Sequence, residues 1–243
     1  MEIQIGTEVI GNFDTVLRFD SPLLGVGVPI DFEKDLGLTD KSTVLRLDLR
    51  YKLGMRHRLE FSYFDITRRA NWKLDKEIQI GDQIFPINID VTATLDTTIY
   101  KGAYRYLFAM GDSWDLSASA GLHTFGLGVG LSEDGTTNKT AKENLTLPLP
   151  VFGFGGNLAL SRKLRLSTTW ELFGIKVGNF KGYLVDARVS LDWDIWEKIG
   201  AGIGWNGFLM DIELKDKHLG GDLLTGNFVY KYQGLLVYFR IFF

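Results

Sequence analysis

The last ten residues, Gly234–Phe243, read GLLVYFRIFF, and the fold is decided there. A β-strand sends successive side chains to opposite faces. Leu235, Val237, Phe239, Ile241 and Phe243 therefore share one face, and Gly234, Leu236, Tyr238, Arg240 and Phe242 share the other. The first face is apolar at every position, while the second carries an arginine. Such a strand belongs between an apolar medium and a polar one.

The same alternation recurs upstream. Leu45, Leu47, Leu49, Tyr51 and Leu53 oppose Arg46, Asp48, Arg50 and Lys52. After a Gly54-Met55-Arg56 turn, Leu59, Phe61 and Tyr63 oppose Arg58, Glu60 and Ser62, which predicts a tight hairpin. Further strands are predicted at about 3–19, 91–108, 152–160, 164–172 and 183–193, with others from Trp114 and Ile199 and a closing one at about 225–243. Long loops are predicted at about 20–42, 132–148 and 214–223, with a raised hairpin between Arg69 and residue 90. The reading gives about ten strands, an even number that leaves both termini at one end. The short turns share that end, and residues 1–243 form one domain.

Composition removes several classes of function. Net charge is −3, with 27 basic and 30 acidic residues, so there is no basic excess for nucleic acid. With no cysteine, disulfides and thiol chemistry are excluded. The sequence has no apolar run of about 18 residues, which excludes a membrane-spanning helix. A spanning strand needs only about 9–11 alternating residues. The start, MEIQIGTEV, has no basic region followed by an apolar one, so an exported chain is expected to begin here after loss of its signal peptide.

Alternation alone fits a soluble ligand-binding barrel as well. Bulk separates the two cases: apolar faces rich in Leu, Phe, Tyr and Trp need lipid or a large cavity, whereas the opposite faces hold glycines and charges that fit a narrow lumen. Tyr106, Phe108, Trp114, Trp193 and Trp196 fall near short turns and predict an aromatic girdle at a membrane boundary. A terminal aromatic residue preceded by apolar residues at every second position resembles the closing strand of bacterial outer-membrane β-barrels, and the strand and loop pattern extends that resemblance to the whole chain.

The resemblance implies an all-β, antiparallel, up-and-down transmembrane barrel in the Gram-negative outer membrane, with short periplasmic turns and long extracellular loops. Its implied partners are outer-membrane lipids, lipopolysaccharide and the assembly machinery, for which Leu235, Val237, Phe239, Ile241 and Phe243 form the recognition signal. A monomer is favoured. Outer-membrane proteases, which use Asp and His near the outer rim, and lipid A deacylases, which need Ser and His within reach of lipid, are the related enzymes. Neither constellation can be placed on this sequence.

The chemistry is concentrated in the lumen face. Nine basic residues (Arg46, Arg50, Lys52, Arg58, Lys101, Arg105, Arg165, Arg188, Arg240) and six acidic ones (Asp48, Glu60, Asp115, Glu171, Asp186, Asp192) are assigned to it. They are expected to pair and plug the barrel, since an unpaired confined charge is costly. The basic excess would favour anions weakly in any narrow pore. His123 also faces the lumen, with Ile99 and Val151–Gly153 as expected neighbours and no carboxylate beside it, so a structural role is read for it. Gly202-Ile203-Gly204-Trp205-Asn206-Gly207 fits a nucleotide-loop pattern by letter but continues a strand, which favours packing.

Asn138-Lys139-Thr140 and Asn144-Leu145-Thr146 match glycosylation acceptors, and in a bacterial chain they read as ordinary loop sequence. His57 and His218 are read as surface residues, and Asp31, Glu33, Asp35, Asp211, Glu213 and Asp216 as solvated loop acids with no specific metal spacing. Gly234 is read as a bulge. The expectation is a non-enzymatic barrel without cofactor or metal, structural or a narrow, porin-like, small-solute conduit. A lipid-modifying enzyme or protease is the alternative, and a lateral carrier of apolar ligands the second.

Overall fold

The computed structural model describes residues 1–19, 29–80, 83–133, 140–178, 180–214 and 226–243. Ten long strands form the wall: β1 (Glu2–Phe19), β3 (Ser42–Lys52), β4 (His57–Lys73), β7 (Asp90–Met110), β8 (Trp114–Glu133), β9 (Thr140–Ala159), β10 (Leu164–Val177), β11 (Phe180–Asp194), β12 (Ile199–Leu214) and β13 (Gly226–Phe242). Each pairs antiparallel with the next, and β1 closes on β13 from Glu2↔Phe242 to Phe19↔Gly226. Closure matters in lipid, which offers no hydrogen bonds to a free strand edge. The Met1 ammonium donates to the Phe243 carbonyl at 3.1 Å, at the end that carries the short turns.

Two smaller features sit at the opposite end: β2 (Ile30–Asp31), a short strand on β1, and the hairpin of β5 (Ile78–Ile80) with β6 (Gln83–Phe85). Phe32, Leu36 and Leu38 after β2, and Leu74, Ile78 and Phe85 around the hairpin, are buried in the main core and cap that mouth.

Polarity inverts along the barrel. Near the turns Leu45, Phe61, Leu116, Phe152, Trp193, Val237 and Phe239 point outward and charges point inward. Toward the mouth the inward set becomes apolar: Phe125, Leu127, Val129 and Leu131 on β8 continue the parity of His123, and Leu145, Leu147 and Leu149 do so on β9. Outside them lie Asp65, Thr67 and Arg69 on β4 and Thr124, Gly126, Gly128 and Ser132 on β8, all exposed or half-buried. This half has the pattern of a barrel in water, with an apolar interior and a polar wall.

That inversion corrects the predicted loop at 132–148. Its polar residues are the water-facing side of strands that run on, with Ser132 opposite Thr140 and Leu127 opposite Leu145. The predicted bulge also moves: Gly234 pairs regularly with Ile10, and the register shift lies on β1 between Gly11 and Asp14, where Asn12 has φ 55°. The extra residue changes the inward parity from Glu8 and Ile10 to Phe13, Thr15 and Leu17. Phe13 thereby joins an aromatic cluster in which Phe125–Tyr230 and Phe208–Tyr232 centroids are 5.2 Å apart.

Candidate functional site

The lumen between the turns and the apolar core is filled by one charged network. At its base Arg240 donates to Glu2 and Asp194, each at 3.0 Å, and the Tyr238 hydroxyl and Ser167 both donate to Asp192, at 2.5 and 3.0 Å. Above this, Arg188 spans to Asp48 and Gln4, each at 3.1 Å. Arg46 donates to Asp48 and Glu8 at 3.2 Å and to Asn206 at 3.0 Å. Along the β4–β8 side Arg105 donates to Glu60 at 2.8 Å and Arg58 lies 3.6 Å from Asp115, while between β3 and β1 Arg50 lies 3.5 Å from Glu2.

The top layer contains Lys101, hydrogen-bonded to Asp186, and His123, whose Nε2 lies 2.9 Å from Glu171. Asn206 also donates to Asp186, at 2.8 Å. Phe64, fully buried, closes this layer, with the Arg46 guanidinium 4.8 Å and the Lys101 ammonium 5.8 Å from its ring centre. A cavity of about 50 Å³ lies beside Arg46, Asp48, Lys101 and Glu171.

Three expectations change. Lys52 is exposed at the end of β3, outside the network, and Arg165 is half-exposed with Asp194 at 3.8 Å. Glu2, Glu8 and Asp194 belong inside, so Arg46, Arg50, Arg58, Lys101, Arg105, Arg165, Arg188 and Arg240 face Glu2, Glu8, Asp48, Glu60, Asp115, Glu171, Asp186, Asp192 and Asp194. The basic excess, and with it the basis for anion preference, disappears. Glu2, Gln4 and Glu8 alternate on β1 and were legible as a polar face.

His123 is the third change. It pairs with Lys101 on β7 and Leu149 on β9, and its ring reaches past β9 to Glu171 on β10. Barrel strands are staggered, so groups at one height are offset along neighbouring strands. His123, Glu171 and Asp186 bring potential metal ligands within 4.8 Å of one another. Lys101 already places a cation on the Asp186 carboxylate, so the arrangement reads as an internal ion-pair layer.

Near the mouth Arg68, 2% exposed, donates to Glu33 at 2.5 Å and to Thr15 at 2.7 Å and stacks over Phe13 at 4.0 Å. Asp35 holds Lys76 at 2.5 Å, Asp31 holds Lys34 at 2.6 Å, and Asp211 accepts from Asn227 at 2.8 Å. Burial would raise the Asp31 carboxyl, but hydrogen bonds from the Lys34 side chain and amide outweigh it and hold the group below its ordinary value. Each of these acids has a partner of its own. His57 lies by a turn against Tyr104 at 2.5 Å, while Asn138, Lys139, Asp216 and His218 lie outside the described residues.

The predicted girdle residues Tyr106, Phe108, Trp114, Trp193 and Trp196 are all exposed at the turn end. Further exposed aromatic pairs, unnoticed in the sequence, stand on the wall: Tyr63 stacks on Tyr100 at 5.0 Å, directly below outward Asp65 and Thr98 at the inversion, and Phe154 stacks on Trp170 at 6.1 Å within the apolar belt, below Phe152 and Leu172. The Gly202–Gly207 run stays within β12. A Cβ on Gly202 would sit 2.4 Å from the Tyr238 ring, so packing explains that glycine.

No protein-family model matches the sequence, and no curated protein matches it. In structure the chain is similar to the outer membrane protease OmpT from Escherichia coli, with TM-score 0.61, 8% identity, and coverage of 100% of this chain and 97% of that one. Ail, the attachment invasion locus protein of Yersinia pestis, gives TM-score 0.39 at 9% identity over 98% and 97% of the two chains. A Pseudomonas aeruginosa FadL homologue gives 0.38 at 9% over 99% and 90%. The likeness to the protease is one of fold: a closed barrel of the outer-membrane type.

Proposed function

We propose that this chain, a β-barrel of the bacterial outer membrane, is closed to solutes and serves as a rigid, non-enzymatic support for its extracellular end. The observation that carries the reading is the doubly filled interior. An ionic network leaves a cavity of about 50 Å³, and an apolar core capped by Phe32, Leu36 and Leu38 stands above it. A conducting path needs a continuous line of water-sized spaces, and the buried charged and apolar side chains of the two layers argue against one. A non-enzymatic role is supported by His123, which is 2% exposed and committed to Glu171, out of reach of both lipid and the outer rim.

Outer-membrane lipids and lipopolysaccharide are the proposed surroundings of the apolar wall. The assembly machinery is the proposed reader of Leu235 to Phe243, and the seam with β1 leaves no strand edge that would require a second copy. Planar-bilayer recording tests the reading. The folded protein should insert without current steps, and reproducible single-channel steps would overturn it.

A further inference from the structure

The seams of the wall do not all run to the same height. β9 and β10 pair from Ala159↔Arg165 to Phe152↔Leu172 and then part, although β9 runs on to Thr140 and β10 to Val177. Two prolines explain the break. The Ala159 amide donates to Ser113 on the β8 side, and the Leu160 amide donates to Leu164 on the β10 side. Amides alternate in direction along a strand, and the β8–β9 register is unbroken, so the even-numbered positions of β9 face β10. Continued by two and four residues, the ladder would set Pro150 against Gly174 and Pro148 against Lys176. Neither proline has an N–H to give, so pairing ends below them.

The break uncovers one side of β10. Among the described residues nothing pairs with 173–177 on the β9 side, so the N–H and C=O groups of Gly174 and Lys176 form a free edge. Ile175 and Val177 have the inward parity of buried Glu171, yet they are 40% and 65% exposed because no wall stands beside them. Phe173 and Phe180, half-buried, pack from the same corner onto the apolar core. The gap begins above Leu172, the last apolar outward residue of β10, where hydrocarbon no longer forbids an open edge. Lys176 points outward beside it. Its neighbour across the β10–β11 ladder is Lys181, whose own partner on β12 is Glu213, so Lys176 has no acid opposite it.

We propose that this edge accepts an added β-strand from a partner polypeptide. Every second residue of that strand is apolar and lies over Phe173, Ile175 and Val177, and the intervening residues, turned outward, include an acid beside Lys176. Strand addition takes affinity from the main chain and selectivity from alternate side chains, and opposite charges on directly paired strands attract. A hydrocarbon chain would cover Ile175 and Val177 but would strip water from the backbone groups of Gly174 and Lys176 without replacing it, at a net cost. Pro148 and Pro150 blunt the facing edge of β9, so the wall does not close the gap itself. The site is on the outer wall and is independent of whether the lumen conducts.

The probe is fluorescein-labelled Thr-Leu-Glu-Leu-Glu-Val, the sequence of residues 146–151 with glutamate in place of both prolines, which sets one glutamate opposite Lys176 in the continued register. Fluorescence anisotropy with the full chain in detergent micelles should show saturable binding at one site. N-methylation of the two glutamate amides should abolish it. Lys176→Glu should weaken it by about tenfold, through loss of one attraction and gain of one repulsion. The double variant Pro148→Thr/Pro150→Thr, which restores both amides, should let β9 pair onward with β10, exclude the peptide and slow hydrogen exchange at Gly174 and Lys176. A gel-mobility shift between unheated and boiled samples reports in each case that the barrel is folded. No binding by the wild type would overturn the proposal, as would unchanged binding of the methylated peptide, which makes the gap an apolar groove only. An affinity that Lys176→Glu or the double variant leaves intact would overturn it too.

Discussion

The polarity inversion can be measured by moving one arginine along the outside of β8. Outward positions Trp114, Leu116, Ala118, Ala120 and Leu122 are exposed, and from Thr124 onward the outward residues are small or polar. At about 3.4 Å per residue, Trp114 to Leu122 covers about 27 Å of strand. With a tilt of about 35–45° that is about 20 Å of height, close to the apolar band of about 25 Å in such barrels. Ala118 is then near the midplane, where Ala118→Arg should cost about 2–4 kcal/mol. Ser132 is about 34 Å beyond Leu122 along the strand, well outside the belt, and Ser132→Arg should cost about 0–1 kcal/mol. Urea unfolding of the protein in lipid vesicles, followed by tryptophan fluorescence, gives both numbers. Because the chain lacks cysteine, Ser132→Cys and Ala118→Cys can also be labelled cleanly with a membrane-impermeant maleimide. Ser132→Cys should react and Ala118→Cys should not. Equal costs for the two arginines would refute the inversion and put lipid along the whole wall.

Three further outcomes follow from the interior, the mouth and the closing strand. Lys101→Met and Asp186→Leu should each destabilise by about 3–5 kcal/mol by leaving a buried charge unpaired, and the double variant should recover much of that loss; additive losses in urea titrations would dissolve the pair. Arg68→Met should strand the Glu33 carboxylate and make residues 29–41 cleavable by added protease while the wall stays intact, and unchanged digestion would remove the latch. Deleting Phe243 should slow folding into vesicles, read as the unheated gel band appearing over time, whereas Lys34→Ala, on an exposed ion pair, should leave that rate unchanged.

The wall was legible because its chemistry has period two. Leu45 against Arg46, Phe61 against Glu60 and Ile241 against Arg240 can be sorted without coordinates. The upper barrel was misread for a related reason. On β9, Leu145, Leu147 and Leu149 alternate with Asn144, Thr146 and Pro148, a pattern that looks like loop to a reader expecting an apolar outside throughout. The side facing water had changed while the period had not. His123 with Glu171 was hidden for a different reason, since sequence gives neither strand stagger nor reach across an intervening strand. Glu2 and Glu8 needed neither, because their alternation on β1 was visible.

The two fillings of the barrel also determine what a lumen substitution can do. Arg188–Asp48 joins β11 to β3 and Lys101–Asp186 joins β7 to β11, so the charges tie together strands that share no backbone ladder. Removing one of them enlarges the lower lumen but leaves Phe64, Phe125, Phe208 and Tyr232 in place above it. The apolar core is held by a separate set of contacts, with the buried Arg68–Glu33 pair as one charged clasp and Lys76–Asp35 as another at the mouth. A lumen variant such as Lys101→Met should therefore be less stable and still silent in a bilayer. Current would require the cap over the mouth to be displaced as well, so stability and conductance should respond to different residues.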